Sequence, residues 1–222
     1  MKKQKKTAKK QPDSYAFIID GETEKWYLQL LKQHESGLTM QFKPELYTKK
    51  SIEEQYKYLT DAAKSYTKVF WIVDLDVIIK ETKEAKKGAK TPMTKLRESL
   101  DKLNIAQSKS KLKNIFVLIN TPCLEYWILL HTKKTSAYFE TCAPVVKEIQ
   151  KHENFKDYEK SEKYYKAANN DIYQKLKDFQ QTALTNASAL PKFDINNYEQ
   201  GLAEMHILFK ELGLCDDSFK FK

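Results

Sequence analysis

Between Val69 and Val77 the chain runs Val-Phe-Trp-Ile-Val-Asp-Leu-Asp-Val. Val69 to Val73 is a short apolar run of β-branched and aromatic residues, which suits a strand buried on both faces in the middle of a parallel sheet. Asp74 and Asp76 follow where such a strand emerges. Side chains two apart on an extended segment point the same way, so both carboxylates face one volume beyond the sheet. Ligands of open α/β sheets bind at that carboxyl edge, and hard cations such as Mg²⁺ take one or two carboxylates there while keeping several waters. Two acids also cap a strand and solvate its turn, so the rest of the chain must decide between the two readings.

A second strand of the same kind, Ser14 to Asp20, also ends in an acid. Gly21 permits a tight turn, and Glu22-Thr23-Glu24 leads into a helix with Tyr27, Leu30, Leu31 and His34 on one face. Thr23 is a good N-cap, and acids at a helix start are favoured by its dipole, which accounts for Glu22 and Glu24 but not for Asp20. Leu38 to Tyr47 alternates weakly around Pro44, as an edge strand does. Ser51 with Glu54 forms a capping box for a helix to Tyr66. Lys80 to Lys90 is expected as an exposed lysine loop beside the acidic edge, and Pro92 opens a helix to Leu103.

Leu112 to Asn120 is the last apolar strand. Thr121 as N-cap and Pro122 at the first helical position start a helix that is apolar nearly all round. Glu125 inside it is anomalous, because a buried carboxylate is costly unless paired, hydrogen-bonded or metal-bound. A salt bridge to a lysine and a role in a site both account for it. From Ala137 the pattern is helical, with helices expected over Val145–His152, Lys160–Phe179 and Tyr198–Leu212. The fold class is therefore α/β: a compact parallel sheet of about four strands flanked by helices, with a helical C-terminal extension. The expected organisation is a disordered basic tail over 1–13, an α/β domain over 14–136 and a helical region over 137–222.

The excess of cations, +9 in formal net charge, favours an anionic partner such as nucleic acid. No apolar run approaches the length of a membrane span, and no apolar segment follows the basic N-terminus, so a cytoplasmic protein is expected. Cys123, Cys142 and Cys215 have no paired spacing and are expected as separate reduced thiols. The five glycines make no phosphate-binding loop, which argues against Walker-type chemistry.

Three ordered segments carry a resemblance. Ile18-Ile19-Asp20-Gly21-Glu22-Thr23-Glu24 with Tyr27, then Val73-Asp74-Leu75-Asp76, then Asn120-Thr121-Pro122-Cys123-Leu124-Glu125-Tyr126-Trp127 with Leu129-Leu130-His131, together resemble the RloB-like family, which occurs at bacterial restriction and abortive-infection loci and is related to Toprim nucleases. Tyr165-Lys166, Asp171-Ile172-Tyr173 and Asn186-Ala187 are similar to its C-terminal features. The resemblance covers about Ala16 to Leu212 and implies a Toprim-like sheet with an acidic phosphodiesterase centre. It implies catalytic roles for Asp20, Glu24, Asp74, Asp76 and Glu125, and Mg²⁺ or Mn²⁺ held by Asp20, Glu22, Glu24, Asp74 and Asp76. Asp20 stands where Toprim proteins carry a glutamate, one methylene longer, and Glu22 or Glu24 would supply the missing reach. The family's Asn-Pro-Ser/Thr segment is not evident near Asn196-Asn197.

The expected function is metal-dependent cleavage of RNA, tRNA among its candidates, or of DNA, in antiviral defence. Lys83, Lys86, Lys87, Lys90, Lys163, Lys166 and His131 are expected to contact the nucleic acid. Further expected partners are an AAA/ABC-type ATPase and a second copy of the chain, with no membrane. Two alternatives stand beside this: a non-catalytic nucleic-acid-binding subunit, and a haloacid-dehalogenase-like phosphatase with Asp74 as nucleophile. The second needs paired acids at a later strand end, where this chain has Asn120.

Overall fold

The structure, a computed structural model, describes residues 13–19, 21–35, 41–46 and 50–215, with only the backbone of 41–46. The basic stretch before Asp13 and the acid Asp20 lie outside these described residues. In chain order the elements begin β1 (Ser14–Ile19), α1 (Glu22–His34), β2 (Gln41–Leu46), α2 (Ile52–Ala62), β3 (Lys68–Asp74) and α3 (Leu75–Glu84). Next come α4 (Pro92–Ser108), β4 (Ile115–Thr121), α5 (Leu124–Leu130), α6 (Cys142–Ile149), α7 (Glu162–Tyr165), α8 (Ile172–Lys177), α9 (Gln180–Ser188), β5 (Leu202–Ala203) and α10 (Met205–Glu211).

The five strands form one sheet in the order β2-β1-β3-β4-β5, with the first four parallel and β5 antiparallel to β4. Pro44 pairs with Phe17 on the edge strand β2, the place where a missing amide hydrogen is tolerated. Period-two alternation splits the strands between two cores. Tyr15, Phe17, Ile19, Phe70, Ile72 and Leu118 face one side, packed under α1 and the C-terminal helices. Ala16, Ile18, Val69, Trp71, Val73, Ile115 and Ile119 face the other, covered by α2, α3 and α4. Burial on both faces is why these strands appear as unbroken apolar runs. The two buried indoles are satisfied: Trp71 Nε1 donates to Gln55 Oε1 at 2.8 Å and Trp127 Nε1 to Tyr27 Oη at 2.9 Å.

Three expectations are corrected. Tyr198–Leu212 is not one helix, because Leu202 and Ala203 pair with Thr121 and Asn120 before α10 begins; the C-terminal region thus adds a strand to the sheet. Lys160–Phe179 breaks into α7 and α8, the latter restarted by an Asp171 capping box. Pro122 does not open α5: Thr121 ends β4, the Thr121–Pro122 peptide is cis, and Cys123 is the N-cap. Among the described residues no helix is long and apolar enough to cross a membrane.

Candidate acidic centre at the sheet edge

From β1 the chain passes outward to β2, then returns across β1 to β3 and β4. The carboxyl ends of β1 and β3 therefore flank the switch point of the sheet, where crevices form. An open cleft of about 380 Å³ lies there, lined by the start of α1 (Gly21 to Glu24), the β3–α3 junction (Asp74 and Asp76), Trp26, Cys123 and Lys160.

The β3 strand ends at Asp74, which is also the N-cap of α3, so Asp76 sits in the first helical turn. The two acids reach one cleft through a strand-to-helix junction and not through an extended segment. Asp74 is opposite Asn120 in the ladder, and Asn120 Nδ2 donates to its Oδ1 at 3.0 Å. The Leu124 amide at the start of α5 donates to Oδ2, also at 3.0 Å. The Asp76 amide in turn donates to the Pro122 carbonyl at 3.0 Å, which ties α3 to the β4–α5 turn. Asp76 Oδ1 accepts from the Val77 amide at 2.7 Å.

Glu24 is buried and in hydrogen-bond contact with Asp74. Burial, then the facing Glu24 and Glu125, hold the Asp74 carboxyl well above the usual range. Asp76 is raised by burial against the opposing pull of the Val77 amide and Lys160. Glu22 lines the same cleft but is exposed and 3.9 Å from Lys25 Nζ.

Glu125 is 0% exposed on α5. Its carboxylate accepts from Lys160 Nζ at 3.1 Å and from Tyr158 Oη at 3.3 Å, and lies 3.2 Å from Cys142 Sγ. Burial raises its pKa, Lys160 opposes and Glu24 reinforces. Lys160 is pulled down by its own burial, but Glu125 and Asp74 outweigh this and raise it. Tyr158 and Tyr165, 2.7 Å apart at their hydroxyls, are buried beside Glu125 and stay protonated well past the ordinary phenol range. Lys160, Tyr158 and Trp26 carried no signal in the sequence, because each arrives from a segment with no motif spacing; Tyr165 belonged to the family resemblance and Cys142 stood only as a separate thiol, neither of them tied to this centre.

The cysteine expectation is corrected: Cys123 and Cys142 are joined as a disulfide with Cα atoms 6.0 Å apart, within the range that permits one. The β4–α5 turn and the start of α6 bring together thiols 19 residues apart. Cys215 is free and partly exposed.

The expected nucleic-acid contacts divide. Lys83, Lys86, Lys87, Lys90, Lys163 and Lys166 are exposed, but Lys80 and Lys83 lie on α3 and not in a loop. Lys83 pairs with Glu140, Lys90 with Glu98 and Lys166 with Glu162. His131 is excluded as a surface contact. It is 0% exposed, its Nδ1 is 2.9 Å from the Trp127 carbonyl, and burial lowers its pKa to about 4, so it is a neutral core residue.

The donor chemistry of the cleft fits a hard divalent cation. The carboxyls of Asp74 and Asp76 are raised and buried Glu24 faces Asp74; clustered carboxylates repel one another until a proton or cation joins them, and oxygen donors are what Mg²⁺ and Mn²⁺ take. Of the acids lining the cleft, Glu24, Asp74 and Asp76 are the ones that would hold one, with Glu22 exposed beside Lys25. No curated protein and no solved structure matches the chain. Residues 15–212, a span containing every segment that builds this centre, match the family model described as RloB-like protein, and the chain belongs to the RloB-like family.

Proposed function

We propose that the chain is a divalent-metal-dependent nuclease acting on RNA or DNA, with bacterial antiviral defence as its setting. One observation carries the reading: Glu24, Asp74 and Asp76 line one cleft with the ammonium of Lys160, at the switch point of a parallel sheet. A cation held by these acids supplies charge neutralisation at a scissile phosphate and a water of lowered pKa. Lys160 places a positive charge beside the acids, positioned to meet a non-bridging phosphate oxygen. The half-buried ring of Trp26 offers an apolar wall on which a base can stack. Lys86 and Lys87, exposed and without an ion-pair partner among the described residues, extend the basic surface beyond the cleft.

The test is incubation of the chain with labelled tRNA, single-stranded RNA and duplex DNA in Mg²⁺ or Mn²⁺, against chelator. Cleavage that requires the metal is expected on at least one of them. Equal results with metal and chelator on all three would overturn the reading.

Gly21 adds a local prediction. Its φ of −122° suits any residue, but a Cβ there would overlap the Glu24 carboxylate. That carboxylate is the far end of a flexible side chain and can swing aside. Gly21→Ala is therefore expected to change stability by no more than about 0.5 kcal/mol and to weaken Mn²⁺ binding by about 10–100-fold. Calorimetric titration and a melt on the same sample check both; unchanged affinity would remove Glu24 from the ligand set.

A further inference from the structure

We propose that Cys123 and Cys142 form a reversible thiol–disulfide exchange site for small-molecule disulfides, with Cys142 as the entering sulfur. This goes beyond the nuclease reading and does not depend on it. The two residues differ in access: Cys123 is 1% exposed at the α5 N-cap, whereas Cys142 is partly exposed at the start of α6. Two groups flank Cys142 Sγ in opposition: Lys160 Nζ at 3.8 Å favours a thiolate there, while the Glu125 carboxylate at 3.2 Å accepts the S–H of the resting thiol and can take its proton when exchange begins.

The alternative use of such a pair is a soft metal ion, since one donor atom each of Cys123, Glu125 and Cys142 lie within 4.8 Å of one another. Lys160 argues against it. Its ammonium sits 3.1 Å from Glu125 and 3.8 Å from Cys142, where a bound cation would meet a like charge.

The exchange balances as follows. The Cys142 thiolate attacks one sulfur of a disulfide of the glutathione class and expels the first small thiolate, leaving a mixed disulfide at Cys142. Cys123, having lost its proton, then attacks the Cys142 sulfur and expels the second. The protein pair loses two electrons and two protons, and the small disulfide becomes two thiols. The consequence reaches the acidic centre through Glu125. In the dithiol form the Cys142 S–H donates to Glu125 Oε2; in the disulfide it has no hydrogen to give, and Glu125 relies on Lys160 and Tyr158.

The experiment uses the full chain with Cys215→Ser, equilibrated in glutathione buffers of graded ratio. It is read by thiol alkylation and by the rate at which an amine-acylating reagent labels Lys160, both followed by mass spectrometry. Expected results are a two-electron titration of the pair and Lys160 labelling about fivefold slower in the disulfide form, the weight of one neutral hydrogen bond. In Cys123→Ser, oxidised glutathione should be trapped on Cys142, while in Cys142→Ser the buried Cys123 should stay unmodified. An absent disulfide across the series, redox-independent Lys160 labelling, trapping on Cys123 instead, or protection of both thiols by Zn²⁺ would each overturn the proposal. None of these readouts requires cleavage or Mn²⁺ binding, so a failed nuclease assay leaves the test intact.

Discussion

Asp74→Asn is expected to abolish metal-dependent cleavage and, in the same protein, to raise the melting temperature measured in chelator. A residue that only solvated a strand end would do neither. Asp74 carries a carboxyl whose pKa is lifted by burial and by the facing Glu24 and Glu125. A folded-state pKa above the ordinary 3.8 means that the folded protein holds a proton the unfolded chain releases. Stability from this group is therefore full below the unfolded value and is lost as pH rises through the folded one. The amide removes that loss. Asn120 can rotate its own amide so that Oδ1, buried and unpartnered, accepts from the introduced NH₂. The expected gain above the titration window is about 1–2 kcal/mol, or roughly 2–8 °C for a chain of this size. Melts of both proteins from acid to mildly alkaline pH check it, since the difference should grow with pH. A variant that melts lower than the parent throughout would show Asp74 to be structural.

How much of this was visible beforehand depends on which physical signal each residue leaves. Strands buried on both faces leave apolar runs, so β1, β3 and β4 and the acid that ends β3, Asp74, stood out. The edge strand announced itself through Pro44. Two residues of β5 leave no period, and Leu202 and Ala203 also fit the helical stripe that continues into Met205 and Phe209. Thr121-Pro122 has the composition of a helix start, and only the conformation of that peptide shows otherwise. His131 follows a motif but is carried inward at the end of α5, where Trp127 covers it. Lys160 is one lysine in a lysine-rich chain, and its selection by Glu125 is a purely tertiary event. The signals that local sequence lacks are thus the ones that neutralise the acidic centre from the C-terminal side.

That neutralisation yields the second large effect. Lys160→Met is expected to destabilise the metal-free protein by about 3–5 kcal/mol, because it strands the carboxylate of Glu125, which is 0% exposed. Tyr158 still donates to it, but a neutral hydroxyl at 3.3 Å does not replace an ammonium at 3.1 Å. The pair is asymmetric. The Lys160 side chain is 43% exposed and turns to water when its partner is gone, so Glu125→Gln alone should cost little stability. Added to Lys160→Met, the same change should restore most of the lost stability. The pH dependence has a definite sign. Burial already raises Glu125, and losing Lys160 raises it further, so the defect of Lys160→Met is largest at alkaline pH and shrinks as Glu125 takes up its proton on acidification. Cleavage should be lost in both single variants and in the double one, since Lys160 and Glu125 border the reacting centre on the proposed reading. Four melting curves at two pH values complete the cycle. If the two stability losses simply add, Glu125 is held by something other than Lys160, and the charge balance proposed for the centre fails with it.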